Sequence, residues 1–202
     1  MQERPCPACG APAEVTALRC APCGAVLPPL PGLSPFARLG LEASVSVDDA
    51  TVERAWLSRS RQVHPDRFQQ RPPAERRAAA EQTAALNDAY RALKTAFGRA
   101  VVVVGLEGGR EPKLPQVQLV AFMEAREEAE ASSDAKAAVA ARAAAQFTAG
   151  LAALTTSLAA LPTETEARRR AVTQAGLRLA ELRTWGRLAQ DLGGPKLLPG
   201  ER

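Results

Sequence analysis

The chain has 202 residues, enough for one or two compact units but not for a large multidomain enzyme. Hydrophobic residues make up 46% and aromatics only 4%, so a core has to be built from Ala, Leu and Val, which favours packed helices over β-sandwiches. The formal charge of +4 is too small to argue for nucleic acid by itself, and the single histidine, His64, excludes any site that needs two imidazoles.

From the N-terminus, Met1 to Cys6 contains no apolar run of the kind a signal peptide needs, and the expected location is cytoplasmic. All four cysteines follow at once, as Cys6-Pro7-Ala8-Cys9-Gly10 and Cys20-Ala21-Pro22-Cys23-Gly24. Two residues between thiolates let both sulfurs face one metal, and the glycine accommodates the tight turn. Two such knuckles supply a closed tetrahedral shell of four thiolates, which points to structural zinc. An iron–sulfur cluster on the same thiolates is the other metal reading. Two disulfides, or a redox C-x-x-C, are disfavoured by the expected cytosolic setting and by the lack of a flanking strand–helix pattern. Residues 1–27 are therefore expected to be a zinc-binding tetracysteine module. A Pro-rich linker over 28–33, Pro28-Pro29-Leu30-Pro31-Gly32-Leu33, marks its boundary.

Ser34-Pro35 reads as an N-cap with proline at the first helical position, opening a short helix to Leu39 that stops at Gly40. Asp48 and Asp49 open a second helix reaching Val63, with Val52, Ala55, Trp56, Ser60 and Val63 on its apolar face and Arg59 at the centre of that stripe. Pro72-Pro73 starts a third helix to about Phe97, whose stripe is Ala79, Leu86, Ala89, Tyr90, Leu93 and Phe97. These two helices are expected to lie antiparallel across the loop from His64 to Arg71.

That loop begins His64-Pro65-Asp66. Pro65 fixes its own φ and keeps His64 out of the α region, so the helix ends there. His64 and Asp66 then project as a donor/acceptor pair, with Arg54, Arg61 and Arg67 giving a positive face for an acidic partner surface. A blander reading has His64-Pro65 only ending a helix and Asp66 starting a turn. General-base chemistry is not indicated, because no nucleophile or second carboxylate is placed to work with the histidine.

Val101 to Val104 extends the apolar surface, and 105–115 is a Gly/Pro-rich connection. Three more helices follow: Gln116 to Ala131, with Leu119, Val120 and Met123 as its apolar group; Asp134 to Leu161, with Phe147, Leu151, Leu154 and Leu158; and one opened by the capping box Thr163-Glu164-Thr165-Glu166, with Val172, Ala175, Leu179, Leu182 and Trp185. Residues 143–163 carry no charge, but Gln146, Thr148, Thr155, Thr156, Ser157 and Pro162 interrupt them. A buried helix face is expected there, not a membrane span. The fold class is thus all-α: a helical hairpin, then a three-helix bundle, with a small N-terminal zinc-knuckle module.

The His64-Pro65-Asp66 loop sits between a basic amphipathic helix and a proline-initiated one. With Tyr90, Leu93 and the opening Pro35-Phe36-Ala37-Arg38-Leu39-Gly40, it resembles the J domain, through which co-chaperones stimulate the ATPase of DnaK-type chaperones. Leu86-Asn87-Asp88-Ala89-Tyr90-Arg91-Ala92-Leu93 with Arg99-Ala100, and the run from Leu119 to Glu128, are similar to HscB-type J-domain co-chaperones of iron–sulfur cluster assembly. The two knuckles resemble a metal-binding extension found on some of them. The resemblance implies a J domain over 34–105, a linker over 106–115 and a scaffold-binding bundle over 116–192. It implies that His64, Pro65, Asp66, Arg54, Arg61 and Arg67 dock on an HscA- or DnaK-type ATPase. Leu119, Val120, Met123, Glu124 and Glu127 would bind the scaffold IscU, and the chain itself would not be an enzyme. Family members usually carry proline where this chain has Ala96 and tyrosine where it has Val102, and Arg59 sits where a core leucine is expected. Two other readings are a J-domain co-chaperone for a different client and a zinc-containing nucleic-acid binder drawing on Arg168-Arg169-Arg170. The second is weakened by the absence of aromatics from residues 1–33.

Overall fold

A computed structural model describes residues 3–199, which divide into two compact units: residues 3–43 with 47–94, and residues 95–199 with 44–46. The tetracysteine segment therefore shares a unit with the helical hairpin.

In the first unit, strands β1 (Glu3–Pro5) and β2 (Pro12–Glu14) pair antiparallel with Arg4 opposite Ala13, and Arg19 forms a single bridge to Val26. Helix α1 (Pro35–Leu39) is capped as its sequence requires: Ser34 Oγ accepts from the Ala37 amide at 3.1 Å, and Gly40 closes it at φ 70°. Asp48 caps α2 (Asp49–Val63) by accepting from the Thr51 amide at 2.7 Å. A 3-10 turn (Pro65–Phe68) leads to α3 (Pro73–Leu93), which packs on α2. Phe36, Leu39, Val52, Val63, Leu86 and Leu93 are buried here. Trp56 stacks on Tyr90 with ring centroids 4.5 Å apart and donates its indole N–H to Asn87 at 2.9 Å.

The structure revises one boundary. The third helix stops at Leu93 instead of running to Phe97. Thr95 leaves the helix at φ −123°, ψ 149°, and its hydroxyl accepts from the Gly98 amide, opening a separate helix, α4 (Ala96–Leu106). This helix packs on the bundle, so residues 96–106 belong to the second unit.

That unit contains α5 (Gln116–Glu130), α6 (Ser133–Ala159) and α7 (Thr165–Asp191), with α6 and α7 as its long antiparallel pair. Phe147, Leu154 and Leu158 of α6 and Leu179 and Leu182 of α7 are buried, while Val139 and Ala143 of α6 pack with Leu188 and Ala189 of α7 and Ala125 and Ala129 of α5. Helix α6 is long and apolar enough to cross a membrane by length and composition. However, its large side chains turn into the bundle while its exposed positions are mostly Ala, Thr and Ser, as a bundle helix requires. The cap of α7 also differs from expectation. Glu164, not Thr163, is the N-cap, and its carboxylate accepts from the amides of Glu166 and Ala167 at 2.8 and 2.6 Å.

The connection between α4 and α5 is strapped to α7. Arg168 forks onto Glu107 and Arg183 onto Glu111, with N–O distances of 2.6 to 2.7 Å. Gly176 lets the chain approach closely, since a Cβ there would collide with the Arg110 carbonyl.

Candidate functional site

The turn after α2 is built from three constraints. His64 takes φ −56°, ψ 127°, as a residue before proline must, and ends the helix. Pro65 starts the 3-10 turn, and Phe68 buries its ring at the other end. Between them the Arg67 amide donates to the His64 carbonyl at 3.0 Å, and the Asp66 amide donates to His64 Nδ1 at 3.4 Å. The apolar ring goes in and the polar pair stays out, the His64 and Asp66 side chains being 55% and 75% exposed. With Nδ1 accepting, the neutral imidazole presents Nε2–H as a donor beside the Asp66 carboxylate acceptor.

Arg54, Arg61 and Arg67 are all exposed. Arg61 lies beside the turn, and Arg54 lies seven residues back, about 10 Å along the same helix. Arg67 also braces the local structure. Its guanidinium donates to the Arg61 carbonyl at 2.8 Å, satisfying an acceptor that the end of α2 leaves open.

In the tetracysteine segment all four Sγ atoms lie within 4.8 Å of one another, and none is bridged as a disulfide. The cross-knuckle pairs Cys6–Cys23 and Cys9–Cys20 are 3.8 and 3.7 Å apart. A tetrahedral shell with metal–sulfur bonds of about 2.3 Å has edges of about 3.8 Å, so the four thiolates fit a metal ion. Each knuckle closes alike: the Gly10 amide donates to the Cys6 carbonyl and the Gly24 amide to the Cys20 carbonyl, both at 2.8 Å, with φ of 73° and 71° at the glycines. Desolvation raises the Cys6 thiol, but amide hydrogen bonds from Ala8 and Cys9 and the neighbouring thiols outweigh it and bring it to about 7. At Cys20 the Cys23 amide acts to lower the thiol, while desolvation and the adjacent thiols push it up to about 12. Four thiolates this close need a cation to be ionised together. The buried cluster around them is Cys6, Ala13, Cys20 and Leu27, with Leu18 and Val26 also buried in the segment, too little to hold a fold without a metal.

Several residues dock this segment on the helices, and the sequence marked only one of them. Arg59, out of place in an apolar stripe, reaches the Thr16 carbonyl, and desolvation lowers its pKa. Gln82, buried in the α3 stripe, donates to the Leu27 carbonyl at 2.8 Å. Its only signal was a polar side chain at a core position. The Pro-rich linker is tied down at its first and third residues, Arg4 donating to Pro28 O and Arg38 to Leu30 O, each at 2.7 Å.

On α5 the side facing the bundle is Phe122, Ala125 and Ala129, with Phe122 4.4 Å from Trp185. The group expected from sequence lies outside: Leu119, Val120 and Met123 are 38%, 46% and 62% exposed, and Glu124 and Glu127 are exposed on the same side. Val117, one turn earlier, enlarges the patch and was not singled out.

No protein-family model matches the chain. A crystal structure of human co-chaperone protein HscB superposes with a TM-score of 0.80 at 21% identity, covering 94% of this chain and 96% of that one. The fold is that of HscB. Chaperone HscB from Vibrio cholerae superposes with a TM-score of 0.64 at 26% identity over 79% of this chain and 95% of its own. In sequence, an HscB homolog from Bordetella petrii is 45% identical over 65 residues, and one from Cupriavidus taiwanensis is 40% identical over 73. Those matches span 38% and 42% of the two HscB homologs' lengths. The chain resembles HscB-type co-chaperones, and its four-cysteine cluster is consistent with a metal-binding extension on that fold.

Proposed function

We propose that the chain is a J-type co-chaperone of iron–sulfur cluster assembly. The observation that carries this reading is the exposed His64-Pro65-Asp66 turn at the tip of a braced antiparallel hairpin, on a chain with the HscB fold. The turn docks on an HscA- or DnaK-type ATPase, which does the hydrolysis, while Arg54 and Arg61 steer an acidic partner surface. Arg67 holds the turn to the end of α2. The outer side of α5 binds an IscU-type scaffold, with Leu119, Val120 and Met123 as apolar anchors and Glu124 and Glu127 at the rim. An exposed apolar group of this size on a helix that already has a separate core face supports a binding role. Cys6, Cys9, Cys20 and Cys23 hold structural zinc, which four-thiolate sites without an open position favour. The working location is the cytoplasm.

The test is the steady-state ATPase rate of a purified DnaK-type chaperone with this protein, with and without an IscU-type scaffold. Stimulation by the protein alone and further stimulation with scaffold is the expected result. Stimulation that ignores the scaffold, with no scaffold retained in a pull-down, transfers the protein to a different client. No stimulation of any chaperone removes the reading.

A further inference from the structure

The 3-10 turn that presents His64 and Asp66 has few bonds of its own, and Phe68 is its one deeply buried side chain. Two chains of contacts converge on that residue, and both begin in the second cysteine knuckle. In the first, Arg19 holds Phe68 from above, its guanidinium 5.9 Å from the ring centroid. Arg19 is itself fixed by the knuckle, through its backbone bridge to Val26 and a hydrogen bond of 3.0 Å from Nε to the Gly24 carbonyl. In the second, the Val26 amide donates to Glu75 Oε1 at 3.4 Å, Arg71 donates to Glu75 Oε2 at 3.0 Å, and the Arg71 amide donates to the Phe68 carbonyl at 3.0 Å. The Glu75 side chain is 10% exposed, so this carboxylate is held between strand and turn.

We propose that Arg19 and Glu75 are positioning residues, through which the metal-closed second knuckle braces Phe68 and holds the His64-Pro65-Asp66 turn in its docking geometry. The inference rests on the chaperone-docking reading above for its consequence, but not for its physical content. The residues between Cys20 and Gly24 have almost no apolar core, so their rigidity comes from the metal. Once the thiolates let go, the turn that carries Gly24 no longer fixes Arg19, and Val26 keeps only the hold of its buried neighbours Leu18 and Leu27, so both supports of Phe68 loosen. Gln82 and Arg59 also tie the module to the helices, at Leu27 and Thr16, but neither bonds to Phe68, Arg71 or Glu75. The brace therefore runs through one knuckle and not through general docking.

Amide hydrogen exchange on the full-length, zinc-loaded protein tests this directly. In Arg19→Ala and in Glu75→Gln, exchange at Arg67 and Arg71 is expected to rise by roughly five- to tenfold. Zinc stoichiometry and the exchange of Val52 and Leu86 are expected to stay at wild-type values. Zinc removal by a chelator should give the same rise at Arg67 and Arg71, with added exchange across the cysteine segment. Arg77→Ala, which removes only an exposed ion pair with Glu81 on the same helix, should change none of these. Wild-type exchange at Arg67 and Arg71 in the two variants overturns the proposal, as does a rise spread evenly along α2 and α3. In chaperone assays the variants should need a severalfold higher concentration for half-maximal stimulation, with the plateau kept. If wild-type protein stimulates no chaperone, the docking reading falls, while the exchange data still decide whether the brace exists.

Discussion

The two units are stabilised by opposite materials, and the surfaces proposed for recognition differ in the same way. Residues 3–27 of the first unit bury only Cys6, Ala13, Leu18, Cys20, Val26 and Leu27, and depend on thiolates, backbone hydrogen bonds and a few long polar side chains. The second unit buries Phe147, Leu154, Leu179 and Leu182 along helical seams and adds arginine–glutamate forks, from α7 to the connection between α4 and α5 and from Arg142 to Glu128. The exposed turn of the first unit is a polar pair whose positions are set by one proline, whereas the exposed side of α5 is apolar and regular. On the proposed function, recognition by the turn would depend on the placement of a few atoms, and recognition by α5 on area. The first should fail abruptly on substitution and the second by degrees.

Metal removal should break this contrast most visibly. Structural zinc in small thiolate sites is worth on the order of 10 kcal/mol of apparent folding energy at neutral pH. Chelation, or Cys6→Ser with Cys20→Ser, should therefore unfold the cysteine segment, read as lost amide protection over residues 3–27. Fluorescence of Trp185, which packs on Phe122 in the second unit, should not change. Because protons compete for thiolates, metal should also be released as pH falls.

The next largest effect belongs to the bundle. Phe147→Ala empties a site lined by Phe97 and close to Gly186, and should cost about 3–5 kcal/mol in denaturant unfolding while zinc content stays unchanged. Leu119→Ser with Met123→Ser should weaken scaffold binding by roughly tenfold, read by calorimetry, with no loss of thermal stability because both side chains are already exposed. Unfolding of that double variant would make the patch part of the core.

The smallest effect is one of pH. Arg168 hydrogen-bonds to Glu107 and holds its carboxyl below the usual glutamate range. A carboxylate with a lowered folded-state pKa stabilises fully above its unfolded value, about 4.3, and loses that contribution as pH falls through the folded value. Glu107→Gln should therefore lower Tm by no more than a few degrees at pH 7, and the difference should shrink as pH falls through the acid range.

Much of this was legible from residues alone. The caps at Ser34 and Asp48, the end of α2 before Pro65 and the fourfold thiolate cluster follow from local chemistry, which needs no tertiary information. The break at Thr95 was not legible, because the apolar stripe continues into Phe97 with the same spacing. The hydroxyl that ends one helix and opens another left no Gly or Pro to mark the join. Nor were Gln82, Glu75 and Arg19, whose partners are 55, 49 and 49 residues away. Such contacts depend on where the cysteine segment docks, and helical periodicity carries no record of that. Arg59 was the one partial exception, since a guanidinium in an apolar stripe has to find a buried acceptor.

The most direct test is the ATPase rate of a purified DnaK-type chaperone titrated with wild-type protein and with His64→Gln. The exposed imidazole touches nothing in the hydrophobic core, so the variant should keep its helicity and melting temperature. It should lose at least nine-tenths of the stimulation, roughly the factor carried by one contact of about 1.4 kcal/mol. Equal stimulation by the two proteins would contradict the account.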